Sequence, residues 1–254
     1  MKAPDKNFSS TIGQGLALLR CFTATDLLLG NKELSERLDL PPSTVARLTF
    51  TLCELGLLTK VERHRKYKLG YGTLGLSYPV LANMRERYVA RKLMKELTDS
   101  TMGQTSMAVL SGLDAMYVES FRPHEEWLSR PEIGTTRPAM HTAIGHALLF
   151  SLEPKRFEYL MLRAKESAPK GFTQIRRRIE GSFNQILKKG YCTVVGTYRR
   201  ELHAIGVPLT PRDHPAPIAF NLSLSVYAGA PPDLDAVAAQ LLALRDRTIE
   251  GMGG

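Results

Sequence analysis

The sequence predicts an α+β protein in two parts: a small helical unit closed by a basic hairpin, then a larger unit of antiparallel strands covered by helices. Three observations lead there. Between residues 31 and 69, two short helix patterns separated by Pro41-Pro42 run into an alternating, cation-rich stretch. Beyond residue 103, strand-like runs come in hairpin-like pairs with helical patterns between them, which favours an antiparallel over a doubly wound parallel sheet. A length of 254 residues with 43% hydrophobic content is enough for two ordinary cores.

In chain order, Ser10-Thr11 is placed to cap a first helix whose Ile12, Leu16, Leu19 and Phe22 share one face. A second helix spans 31–38. After the Asp39-Leu40-Pro41-Pro42 break, a third helix runs 43–56, with Val45, Leu48, Leu52 and Leu55 at core spacing. The stretch 58–69 reads as a hairpin. Residues 74–91 read as a connecting helix, kinked or broken by Pro79 and continued or repacked over 92–101. The domains are therefore expected at 1–73 and 92–254, with 74–91 as linker.

The larger unit starts with strands at 105–110 and 115–120 joined by Ser111-Gly112-Leu113-Asp114. A polar loop or short hairpin follows over 122–137, and helices are expected at 142–152, from Pro154 to about 165, and at 174–189, capped by Thr173 and ended by Gly190. Strands at 191–195, 204–209 and 218–226 precede a last amphipathic helix from Pro231 to about Ile249.

Charge placement says what the first unit meets. The chain carries 34 Lys and Arg against 25 Asp and Glu, a net +9. Residues 1–75 contribute +4, and the hairpin segment 60–68 alone accounts for all of it, through Lys60, Arg63, Arg65, Lys66 and Lys68 against Glu62. That is a footprint for a polyanion. Two helices, a tight turn and a charged hairpin in this order read as a winged helix-turn-helix, which places a helix in the DNA major groove and the hairpin on the backbone. On the third helix Ser43, Thr44, Arg47 and Thr51 project outward. Small hydroxyls at its start allow close approach to phosphates or base edges, and Arg47 suits a two-pronged contact to guanine. With Arg63, Arg65, Lys66 and Lys68 they form the expected DNA surface.

Other classes fare poorly. No apolar run reaches about 18 residues and no signal-peptide pattern opens the chain, so a cytoplasmic protein is expected. Cys21, Cys53 and Cys192 lack zinc-site spacing, so no metal is expected. Neither Gly-x-Ser-x-Gly nor His-Glu-x-x-His occurs, and no Gly-rich phosphate cradle follows a strand, so neither a cofactor nor catalysis is expected.

Several stretches together resemble the IclR family of bacterial transcription regulators: Leu40 to Leu48, Thr51 to Leu58 and Arg65 to Gly70 in the first unit, then Arg137 to Leu149, Gly190-Tyr191 and Glu201 to Leu209. The resemblance spans nearly the whole chain. It implies a winged helix joined by a linker helix to a GAF-like effector-binding domain, homodimers or dimers of dimers, an operator in duplex DNA, and a small carboxylate or aromatic acid as effector. Carried over residue by residue, it puts effector-binding roles on the backbone amides of Ala143 and Ile144, on Ser223 and Ser225 of the last strand, on Tyr198, Arg199 and Glu201, and on Arg130 in a loop expected to close the pocket. The chain departs from the family pattern at Met140 and His146, and His203 is a further candidate to face inward. Two other readings compete: an enzyme, or a signalling module, in either case with the winged helix as a protein-docking domain.

Overall fold

The computed structural model describes residues 7–124, 132–210, 216–226 and 233–253, and the chain divides into two compact units, Met1–Asn83 and Met84–Gly254.

The first unit holds α1 (Ser10–Leu19), α2 (Asn31–Leu38), α3 (Pro42–Glu54), a hairpin of β1 (Leu58–Val61) and β2 (Lys66–Leu69), and α4 (Gly72–Ala82). Leu18, Phe22, Leu29, Leu34, Val45, Leu48, Leu52 and Leu58 make one buried cluster. Pro42 in the first turn of α3 has no N–H to leave unsatisfied. Gly56, at φ 69°, ends that helix, and the Leu57 N–H donates to the Leu52 carbonyl at 2.9 Å, so α3 turns directly into β1.

Three expectations need correcting here. Ser9, not Ser10, precedes α1 and makes no side-chain cap; Ile12 and Leu16 are exposed, and the buried face is set by Leu18 instead. Leu55 is 65% exposed because α3 stops at Glu54. The helix expected over 74–91 is interrupted at Asn83-Met84, four and five residues beyond Pro79.

The second unit is a six-stranded, wholly antiparallel sheet in the order β5-β4-β3-β8-β7-β6, built from β3 (Gln104–Ser111), β4 (Asp114–Phe121), β5 (Thr136–Pro138), β6 (Cys192–Val195), β7 (Leu202–Pro208) and β8 (Ile218–Ser225). α6 (Ala143–Phe150) packs on one face through Ile144, Ala147 and Leu148 against Ala108, Tyr117, Cys192 and Ala219. α7 (Pro154–Ser167) and α8 (Phe172–Lys189) extend that layer. α5 (Arg85–Thr101) packs on β3 and β4, and α9 (Leu234–Gly251) on β7 and β8, and these two helices also pack on each other. Thr173 is not the cap of α8; Gly171, at φ 80°, holds that position.

A bulge gives β4 two duties. Its register slips between Met107 and Ala108, so Glu119 pairs with Met107 while Tyr117 pairs with Ala108. Without the extra residue, Tyr117 and Glu119 would share a face. With it, Tyr117 joins Ala108 under α6, while buried Glu119 takes Arg87 Nη2 at 2.9 Å and Arg91 Nε at 3.1 Å from α5.

Candidate functional site

On the first unit, α3 presents Ser43, Arg47 and Thr51 to solvent, and Thr44 is half-buried. The Thr51 hydroxyl donates to the Arg47 carbonyl at 3.0 Å, one turn back, so its outward face is chiefly its methyl. Phe50 also points out, 67% exposed, a member of the outward face that the apolar spacing did not reveal. The hairpin closes through a 3-10 turn, Glu62–His64, and a left-handed Arg65 at φ 50°. Arg63, Arg65 and Lys68 are exposed and make no ion pair among the described residues. Lys66 differs: its ammonium donates to Glu33 at 2.8 Å. That bond, with the Gly30 N–H, holds the Glu33 carboxyl below its usual range. Lys60 is likewise paired, with Glu62 at 3.0 Å. The free hairpin charge is therefore smaller than the sequence count suggests.

In the second unit a cavity of about 40 Å³ lies between the sheet and the start of α6. Its lining draws on nearly every strand: Tyr117 from β4, Arg137 from β5, Asn221 and Ser223 from β8, Leu202 and Ala204 from β7, and Val194 from β6. His141, Thr142 and Ala143 bring in the head of α6, and Thr197, Tyr198 and Arg199 come from the segment between β6 and β7. Thr142 caps the helix, its hydroxyl oxygen accepting from the Gly145 N–H at 3.2 Å. The amides of Ala143 and Ile144 precede the first intrahelical bond and carry the positive end of the helix dipole. Gly206 permits this arrangement: a Cβ there would come within 2.2 Å of the Ala143 carbonyl, so only glycine lets β7 run beneath the helix head.

No carboxylate stands among the described lining residues, whereas two arginines do. The Arg137 guanidinium lies 5.5 Å from the centre of the Tyr198 ring, and its buried Nε has no hydrogen-bond partner among the described residues. Burial, and then the charge of Arg178, push the His141 imidazole below its ordinary range, which favours its neutral form. Burial pushes the Tyr117 phenol up to about 12, so it keeps its proton and stays a donor. The Asn221 amide donates to Ser223 Oγ at 2.9 Å, and its buried Oδ1 has no partner among the described residues.

Of the expected effector residues, Ala143, Tyr198, Arg199 and Ser223 line this cavity. The Ile144 side chain is fully buried under the sheet, so only its amide faces the helix head. Glu201 and Ser225 are absent from the lining, and Arg130 lies outside the described residues. His203 is also absent from the lining. His146 is buried between α6, α8 and the 3-10 turn Ala139–His141. Its Nε2 donates to the Met140 carbonyl at 3.1 Å, which leaves Nδ1 to accept from Ser182 Oγ at 2.8 Å. Tyr117, Arg137, His141 and Asn221 were missed. Asn221 had a usable signal, since it precedes Ser223 by two residues and shares its face.

A winged helix-turn-helix whose hairpin holds Arg63, Arg65 and Lys68 outside any ion pair among the described residues, followed by a cavity between sheet and helix, is the plan of a DNA-binding regulator. The chain belongs to the IclR family of bacterial transcription regulators. The family model for the IclR helix-turn-helix domain matches residues 11–62, and that for the bacterial transcriptional regulator IclR C-terminal matches residues 79–246. The chain is 29% identical over 231 residues to the HTH-type transcriptional regulator TsaQ1/TsaQ2 of Comamonas testosteroni, covering 88% of this chain and 83% of that one. The crystal structure of an IclR family transcriptional regulator from Brucella abortus superposes with a TM-score of 0.86 at 28% identity, over 98% of this chain and 95% of that one. An IclR homologue from Microbacterium hydrocarbonoxydans, crystallised with 4-hydroxybenzoate, shares the fold at a TM-score of 0.78 and 18% identity, over 96% and 99% of the two chains. Among the described residues, no helix is long and apolar enough to cross a membrane.

Proposed function

We propose that this regulator controls a catabolic operon in response to a small organic or aromatic carboxylate held in the cavity beneath α6, and that it acts by binding rather than catalysis. The observation that carries the reading is the lining itself: two arginines and a helix N-terminus with no acidic residue among the described walls. An enclosed cationic site of that kind selects an anion, and an aromatic acid also finds Tyr117, Tyr198 and Leu202 for its ring. The 4-hydroxybenzoate held by the Microbacterium hydrocarbonoxydans homologue is of this class.

The operator is read by Ser43, Thr44, Arg47 and Thr51 of α3, with Phe50 suited to a thymine methyl, while Arg63, Arg65, Lys68 and, more weakly, Lys66 hold phosphates. Residues 1–73 form the DNA-binding domain, 74–91 the linker and 92–254 the effector domain. Dimerisation is supported by exposed apolar side chains on α1 (Ile12, Leu16) and on α4 (Leu74, Leu76, Tyr78, Val80), the latter a helix with no buried residue. An effector that favours one arrangement of the dimer would change how two recognition helices fit two half-sites.

The test is a thermal-shift screen of the full chain against organic and aromatic acids, followed by gel shift on the promoter beside its own gene. A binding acid stabilises the protein by about 2.7 kcal/mol at a hundredfold excess over Kd. The same acid should change operator affinity, and that affinity should fall steeply with salt. No stabilising acid, or one that leaves operator binding unchanged, would refute the effector reading.

A further inference from the structure

The anion-binding reading uses the positive groups of the cavity but leaves one buried polar atom unexplained. Asn221 is 6% exposed, and its Oδ1 has no hydrogen-bond donor among the described residues although its Nδ2 donates to Ser223 Oγ at 2.9 Å. A buried amide oxygen without a donor is costly, so a site that keeps one is built for an occupant that supplies it. Arg137 shows the reverse: its Nε is a buried donor without an acceptor among the described residues. The same cavity therefore asks its ligand for an acceptor at one place and a donor at another.

The two groups stand on different strands. Arg137 lies on β5 and Asn221 on β8, three strands away in the order β5-β4-β3-β8, so the two requests come from different strands of the cavity wall. The donor must also be neutral, because the described lining offers no carboxylate to an ammonium.

We infer that Asn221 is a specificity-determining residue: it selects acids that carry a hydroxyl away from the carboxylate, by accepting that hydroxyl's hydrogen bond on Oδ1. This rests on the acid-binding reading above. The anionic group is held by Arg137 and supplies most of the attraction, while Asn221 sorts among acids of similar size. A site built to bond a hydroxyl discriminates against the analogue lacking it far more strongly than an apolar wall could, because the buried amide is then left unpaired.

The experiment is calorimetric titration of the full-length protein with matched acids. One set is benzoate, the three monohydroxybenzoates and their methoxy analogues; a second is butyrate and 4-hydroxybutyrate. The expected result is that one hydroxy acid binds about tenfold or more tighter than both its unsubstituted and its methoxy counterpart, since a methoxy group accepts but cannot donate. In Asn221→Leu that preference disappears, through weaker binding of the hydroxy acid while the unsubstituted acid binds as well or better. If Asn221→Leu fails to fold, the wild-type ranking decides alone. Acids that bind without regard to the hydroxyl, or that prefer methoxy, overturn the role of Asn221 and leave the anion site standing. If no acid in either set binds while another acid from the thermal-shift screen does, the role of Asn221 falls and the acid-binding reading stands.

Discussion

The hairpin of the first unit and the cavity of the second each gather arginines without carboxylate partners among the described residues, yet they hold them in opposite surroundings. Arg63 and Arg65 stand in open solvent on a two-stranded ribbon. Arg137 is half-buried, stacked near Tyr198, with one nitrogen cut off from water. Exposed charges interact through a high dielectric and are screened beyond about 8 Å at physiological salt, so they attract a phosphate backbone weakly, additively and without regard to sequence. A charge at an enclosed site has given up hydration and regains it from one partner of the right shape. The first region favours many partners a little, and the second favours few partners a great deal.

Perturbations that separate the two regimes can be ranked by size. The largest falls on His146, behind the cavity. Burial holds its pKa down at about 4 against an ordinary 6.5. Because the folded pKa is the lower one, the unfolded chain takes up the proton first as pH falls. The neutral imidazole's contribution is therefore complete above about 6.5 and lost on acidification towards 4, with a total of about 3 kcal/mol. Urea midpoints measured across that window should drop in the wild type and change much less in His146→Leu; parallel profiles would mean His146 is not what titrates.

Next is Arg137→Gln, which removes the enclosed cation. Effector affinity should fall by about 2–3 kcal/mol, as expected for a charge-assisted bond, with operator affinity in the absence of effector unchanged. Calorimetry and gel shift together read this, and unaltered effector affinity would move the anion site elsewhere. Arg47→Ala should cost about 1–3 kcal/mol at a single base pair and leave other positions alone; an unchanged ranking of operator variants would remove it from base readout. The smallest effects lie on the hairpin. Arg65→Ala should weaken all sequences alike and lower the salt slope by about one, while Lys66→Ala does less because Glu33 already engages that ammonium. Equal slopes for the two variants would show that the Glu33 pair opens on DNA.

Local order was readable because helix and strand periods are written in neighbouring residues. The antiparallel sheet, the winged unit and the outward face of α3 all follow from such spacing. Where spacing misled, the reason is specific. Ile12 and Leu16 form a true apolar stripe, but a stripe records that a face avoids water, not which surface covers it. Leu55 keeps the period of α3 one residue beyond the helix that enforces it. The cavity was only partly legible. Ser223 lines the cavity, but its companion in that lining is Asn221, nearer the middle of the strand, rather than Ser225 at its end. Tyr117 and Arg137 reach the site through long-range register and a bulge, and nothing local in their sequence marks that meeting.

The bulge in β4 turns that strand into a lever. One arm ends in Tyr117, on the wall where a ligand would press; the other ends in Glu119, clasped by Arg87 and Arg91 near the beginning of α5. Both side chains hang from one strand, so the wall of the cavity and the tether of α5 share a single stretch of backbone.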